Sequence, residues 1–265
     1  MLPIVICAVT VATVWLFPKS QSRIKSLFEE REFRIREAVF LVIAMGVMVT
    51  IIVSIPQQIF QTVQILFLAA YCFVLFLFTY IALEKWYFAI LPSIVFTVLY
   101  ISPLWNTLLI NIFAIIFVVL ISVYLGGLFS WKTVLAFTAL LTIMDVIQVF
   151  ATGFMGQSAD RLVELNLPIL IEVPTFPLNW WETSIRLGLG DLFLSGLLAI
   201  QTAEKFKDLK ESGVISAFSI AFAFFIFEII VVNIGYYDYF PATIVVVCGW
   251  LLGLGLIHLL RQRGT

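Results

Sequence analysis

Charge is scarce in this chain. Only 12% of its residues are charged and 63% are hydrophobic, whereas a soluble domain is about a quarter charged and about half apolar. That excludes an ordinary soluble fold and leaves an all-α polytopic membrane protein. Histidine occurs once and cysteine three times. Cys7, Cys72 and Cys248 stand far apart in apolar segments without CxxC spacing or nearby histidines, so neither a disulfide framework nor a metal site is expected. The lone His258 falls near the end of the last apolar run and is assigned no catalytic role. A net charge of −1 and the lack of basic stretches interleaved with exposed aromatics give no reason to expect nucleic acid. No internal repeat is visible, and no linker separates a second domain, so residues 1–265 read as a single membrane domain.

What the chain does have is long apolar runs. Residues 2–17 amount to about one bilayer span, without a basic region before them or a small-residue cleavage site after them, and are expected to be an uncleaved first helix. A mixed-charge stretch from Lys19 to Glu37 is expected to be a solvated surface helix. No charge then appears from Ala38 to Leu83, about 69 Å of helix at 1.5 Å per residue, roughly twice a bilayer core. The chain must turn back once, at Ser54-Ile55-Pro56-Gln57-Gln58. Residues 86–126 are again too long for one crossing, with the break at Ser102-Pro103. The expected helices are 2–17, 38–54, 59–83, 86–101, 103–126, 131–155, 182–202, 213–234 and 241–260, nine crossings in all, with 156–181 a loop. Trp15, Trp86, Trp105, Trp131, Trp180 and Trp181 fall near helix ends, as interfacial aromatic belts do.

Two aspartates interrupt these runs, and ionisable residues inside membrane segments are costly enough to be functional by default. Asp145 lies ten residues before the expected end of helix six. Asp191 lies ten residues after Trp181, where helix seven is expected to start, so both sit about 15 Å below the same face. Antiparallel helices adjacent in sequence tend to be neighbours. Two carboxylates that meet tend to share a proton, with one acting as base on a water while the other polarises a carbonyl. The alternative is that each is satisfied separately, Asp145 by Gln148 and Asp191 by Arg186. Gly188 and Gly190 leave the backbone bare for close approach, although small residues also serve ordinary helix packing. Pro241-Ala242-Thr243 opens helix nine on the same side as the dyad. Glu228 is expected to pack and bond to a neighbouring helix, with lining of the water cavity as the alternative, and Asn106 and Asn111 to act as interhelical glue.

Met144-Asp145 on helix six, Gly188-Leu189-Gly190-Asp191 on helix seven and Pro241-Ala242-Thr243 on helix nine together resemble the three signatures of the presenilin and signal peptide peptidase family of intramembrane aspartyl proteases. Leu167-Pro168-Ile169-Leu170-Ile171-Glu172-Val173-Pro174 resembles the apolar stretch that signal peptide peptidases carry before helix seven. The likeness is best over residues 142–200 and near 241; helices one to five match in number and apolar character. Met144 stands where tyrosine is usual, and Thr243 where leucine is usual. The resemblance implies a presenilin-like fold of nine helices, Asp145 and Asp191 as the catalytic dyad, Gly188, Leu189 and Gly190 beside it, and Pro241, Ala242 and Thr243 supporting dyad and substrate. It implies no metal or organic cofactor.

A helical substrate hides its amides in internal hydrogen bonds. The strand-like Ile169, Leu170 and Ile171, between two prolines, are therefore expected either to pair edge-on with an unwound transmembrane peptide or to be a hydrophobic loop lying on the membrane. Of the 15 basic residues, all but Arg161 and Arg186 fall on the face opposite the N-terminus. The positive-inside rule then puts the C-terminus in the cytoplasm and the N-terminus and the dyad's opening outside the cell membrane. Expected partners are the lipid bilayer and single-helix substrates with a cytoplasmic N-terminus, such as remnant signal peptides or type II anchors; oligomerisation is not readable. Competing readings are an ion-coupled transporter or channel, a prepilin-peptidase-like GxGD protease and a non-catalytic scaffold. The lack of repeats weighs against the transporter, and the charge distribution against the prepilin peptidase.

Overall fold

The computed structural model describes residues 1–27, 32–83, 85–175, 184–208, 211–234 and 239–263. In chain order these form α1 (Leu2–Leu27), α2 (Ile35–Ser54), α3 (Phe60–Leu83), α4 (Trp86–Ile101), α5 (Thr107–Gly126), α6 (Trp131–Val146), α7 (Phe154–Glu164), β1 (Leu170–Pro174), β2 (Ser184–Gly188), α8 (Leu189–Lys205), α9 (Glu211–Ile234) and α10 (Ala242–Arg263). A π-helical turn, Ile147–Ala151, continues α6.

Among the described residues seven helices are long and apolar enough to cross a bilayer: α1, α2, α3, α5, α6 with its π turn, α9 and α10. Large apolar side chains such as Phe40, Leu66, Phe73, Ile112 and Phe218 point outward along them, a surface suited to lipid. The chain is a multi-pass membrane protein. The expected count of nine full crossings is not reached by length: α4 has 16 residues and α8 has 17, about 24–26 Å at 1.5 Å per residue.

Helix α8 is the centre of the bundle. Every residue from Asp191 to Ala203 is buried, as expected of a helix surrounded on all sides. The polar side chains it carries are bonded. Ser195 Oγ meets Thr10 Oγ1 at 3.0 Å. The Gln201 amide donates to the carbonyls of Gly126 and Phe129, and Trp250 Nε1 donates to Thr202 Oγ1 at 2.8 Å. Such bonds, together with small residues that let backbones approach, hold membrane helices together where apolar burial alone does not drive association. α3 and α4 form a hairpin around a smaller cluster of Tyr71, Leu75, Phe96 and Phe113.

Several boundaries differ from expectation. The charged stretch after residue 17 continues α1 through Pro18 to Leu27 rather than forming a separate surface helix. The expected sixth helix, 131–155, ends at Ala151, and the expected loop 156–181 holds most of α7 and all of β1. The expected seventh helix, 182–202, starts at Leu189, because residues 184–188 are a strand paired with β1. Trp180 and Trp181 lie outside the described residues.

α9 and α10 meet through glycine. A Cβ on Gly249 would come within 2.7 Å of the Ile220 backbone and 2.9 Å of Ala223 Cβ, and backbone cannot yield as a flexible side chain does. Gly249→Val should therefore lower stability by about 1–3 kcal/mol, the usual cost of overpacking, seen as a lower unfolding midpoint in detergent. Gly255→Ala, where nothing lies within 4 Å, should be neutral or stabilising.

Candidate active site

Each candidate aspartate is held by its own local fold. Asp145 is in the last turn of α6, just before the π turn, and is 5% exposed; π turns often mark functional positions in helices. Asp191 is in the first turn of α8, behind the N-cap Gly188, and is 7% exposed. Equal depth by counting along two helices therefore does not hold for Asp191, because the five residues of β2 before it are extended, at about 3.3 Å each. The two aspartates nevertheless line one cavity of about 200 Å³. Its walls come from α2, α3, α6 with its π turn, α7, β1, the end of β2 and the starts of α8 and α10, and apart from Asp145, Gln148, Ser158, Asp191 and Thr243 they are apolar.

The separate partners considered for the aspartates are otherwise engaged. Arg186 Nε meets Glu172 Oε2 at 3.2 Å, and Gln148 Nε2 donates to the Gly46 carbonyl at 3.4 Å. Asp145 is instead bonded by Thr243, whose Oγ1 donates to Oδ2 at 2.6 Å. Thr243 belongs to α10, which begins one residue after Pro241. That proline accepts from the Ile244 amide at 3.1 Å, and Ala242 packs against the main core. Gly188, Leu189 and Gly190 line the cavity. A Cβ on Gly190 would meet only Met45 Cε, at 3.9 Å, so here the absent side chains leave room in the cavity rather than allowing a helix to press close.

The strand expected near 169–171 forms as β1, antiparallel to β2, with Leu170 opposite Gly188 and Glu172 opposite Arg186. Ile169 and Leu170 line the cavity, whereas Ile171 is fully buried in the main core. The Leu189 amide bonds the Ile169 carbonyl at 3.1 Å. In this register Ile169, Ile171 and Val173 exchange bonds with β2, and the amides of Leu170 and Glu172 point to the other edge. That edge is occupied. Asn111 of α5 accepts from the Glu172 amide at 3.0 Å and donates to the Glu172 carbonyl at 2.7 Å, the two bonds a neighbouring strand would make. Sequence reasoning assigned Asn111 only to interhelical packing. No other strand lies against β2 among the described residues. The Glu172 carboxylate ties the strands across their face: the Ser184 hydroxyl, at 2.6 Å, and then Arg186 hold its carboxyl below the usual range. That tie persists above the ordinary carboxylate range and is lost as pH falls through the lowered value.

Helix α7 closes the cavity on another side. Its Gly156 sits beneath the Tyr239 ring, 2.6 Å from where a Cβ would be, and the Tyr239 hydroxyl donates to Asp160 at 3.0 Å. Glu228, 1% exposed, is away from the cavity and pairs with the N-terminal ammonium at 3.1 Å. No cluster of three or more metal-ligating side chains occurs among the described residues.

A family model described as signal-peptide peptidase, presenilin aspartyl protease matches residues 4–184. The chain belongs to that family. The match takes in Asp145 and the first five helices, where the resemblance read from sequence rested on number and character alone, and stops short of Asp191 and Pro241. No curated protein matches the chain individually. At the level of the family it is an aspartyl protease of the membrane interior.

Thr243 carries the side-chain bond to Asp145, so Thr243→Val should slow peptide cleavage roughly tenfold to hundredfold, from the about 1.5–3 kcal/mol of a bond to a charged group. Thr243→Ser keeps the hydroxyl and should retain most of the rate. Equal rates for Thr243→Val and wild type would show that the bond does not matter.

Proposed function

We propose that this protein hydrolyses peptide bonds within transmembrane segments, using Asp145 and Asp191 as a dyad that activates water. The observation that carries this reading is that Asp145 and Asp191, from separate helices, line one and the same mostly apolar cavity. Two carboxylates at one site hold one proton between them. The ionised member takes a proton from water as the water attacks the scissile carbonyl, and the protonated member donates to the carbonyl oxygen. The proton taken from water then reaches the departing amine. Thr243 orients Asp145 by its hydroxyl bond. No metal or organic cofactor is needed for these steps.

The reaction also requires an extended substrate, because a helix keeps each carbonyl in its own ladder. Since Asn111 occupies one edge of the hairpin, the edge that suits an incoming chain is that of β2 rather than residues 169–171. Added there, an unwound peptide runs alongside Ser184 to Gly188, with Leu189 and Gly190 leading directly to Asp191. Thr243, placed at the start of α10 by Pro241 and Ala242, lines the same cavity. The excess of Lys and Arg on the face away from the N-terminus supports a cytoplasmic C-terminus and a cavity that opens outside the cell membrane. Preferred substrates are then single helices with a cytoplasmic N-terminus, such as remnant signal peptides or type II anchors.

Purified protein should cleave a fluorogenic transmembrane peptide, and Asp145→Ala or Asp191→Ala should each lower the rate by about 10²–10⁴-fold or more. Cleavage that persists in both variants rules out the dyad. Arg186→Pro takes away an outward amide while leaving the β1–β2 bonds intact. It should cut cleavage about tenfold relative to Arg186→Ala, the cost of about one backbone hydrogen bond; equal rates would mean that β2 does not pair with substrate. A reporter fused after Thr265 should be active only on the cytoplasmic side.

A further inference from the structure

The chain has 5 methionines. Apart from Met1, they are Met45, Met48, Met144 and Met155, and all four line the cavity that holds the aspartates. They arrive from three elements: Met45 and Met48 one turn apart on α2, Met144 at the end of α6 and Met155 at the start of α7. Packing alone does not account for this distribution. Elsewhere the apolar positions are filled by leucine, isoleucine, valine and 26 phenylalanines, and methionine as a general filler would be scattered among them. Two of the four belong to segments next to the aspartates. Met144 precedes Asp145 in sequence, and Met45 Cε is the nearest atom to where a Cβ on Gly190 would sit, next to Asp191. None is fully buried, and Met48 is 43% exposed; Met45 and Met144 also pack against the main core, with Met144 Sδ 2.8 Å from where a Cβ on Gly46 would sit, so the wall they form is part packed and part open.

Methionine is unbranched and polarizable, with three rotatable bonds, and it fills irregular space around whatever it meets; surfaces rich in it bind many partners. Leucine has nearly the same volume but fewer shapes available. A protease that receives bilayer-spanning helices meets leucine, phenylalanine, valine and alanine in no fixed order, and a rigid pocket would favour one of them. We propose that Met45, Met48, Met144 and Met155 form an adaptable pocket for the substrate side chains beside the scissile bond, making the enzyme tolerant of apolar residues of different size. The occupant is the apolar peptide itself, which follows from the continuity of the methionines with the dyad and with Gly188–Asp191 on the same wall. This rests on the protease reading above and assigns the basis of its selectivity.

Two measurements test it. In the first, a set of transmembrane peptides that differ only in alanine, valine, leucine or phenylalanine next to the cleaved bond is digested by wild type and by Met45→Leu/Met48→Leu/Met144→Leu/Met155→Leu. The rates within each protein are compared with its own best substrate. Wild type should cleave the set within a few-fold, and the variant should spread beyond about tenfold, the scale on which a fixed apolar pocket discriminates by size. The same spread in both overturns the proposal.

The second measurement needs neither the variant nor turnover. Wild-type protein is exposed to hydrogen peroxide with and without a non-hydrolysable apolar transmembrane peptide, and sulfoxide at each methionine is read by mass spectrometry. Protection of the four cavity methionines, with Met1 unchanged, supports the pocket; equal oxidation with and without peptide overturns it. If wild type cleaves no peptide at all, the protease reading fails, and the oxidation pattern alone decides whether these methionines hold an apolar peptide.

Discussion

A bilayer interior tolerates little unpaired backbone, and only Leu189 and Gly190 separate Asp191 from five residues of extended chain. The structure meets this with a hairpin, β1 paired to β2, and with Asn111, whose side-chain amide takes the place of a third strand at Glu172. Much else follows from that arrangement. Because the residues before Leu189 are strand rather than helix, Asp191 falls in the first turn of α8 instead of its middle. Because one edge of the hairpin is closed by a side chain, a substrate strand has one edge left to use.

The bundle behind the hairpin supplies rigidity. A helix as thoroughly buried as α8 needs close partners on every side, and its serine, threonine and glutamine residues bond to α1, α5 and α10 or to the turn that leaves α5. The Asp191 end of α8 thereby becomes a fixed point. Asp145 is fixed in a different way, by one hydroxyl that reaches it from α10. Thr243 stands where the family usually has leucine. Here that polar departure is the residue that touches the aspartate, while Met144, the other departure, belongs to the cavity wall.

The apolar runs, their turns and the two intramembrane aspartates were legible because each is a local property of a few dozen residues. The helix that carries Asp145 ends four residues earlier than expected, and the one that carries Asp191 starts seven residues later. The second shift has a plain cause. Ser184-Ile185-Arg186-Leu187 alternates polar and apolar residues, the period of a strand, but five residues beside a long apolar helix read as part of that helix. β1 was easier to see, since two prolines bracket it. What could not be read was anything that joins distant positions: Asn111 with Glu172, Thr243 with Asp145, Tyr239 over Gly156, or the gathering of methionines from three helices. Each partner looks ordinary by itself, and only the fold puts them together.

The continuity of β2 with α8 makes the strand and the helix a single lever. Two residues, Leu189 and Gly190, separate the edge on which a peptide would lie from the carboxylate that would act on it, and the far arm of the lever is clamped along its whole length by the bundle. A force applied at the strand would be shared between that short joint and the pairing of β2 with β1. If a peptide lies on that edge as proposed, its seating would bear on the position of Asp191, and a poorly seated chain would leave the carboxylate out of alignment with its counterpart on α6.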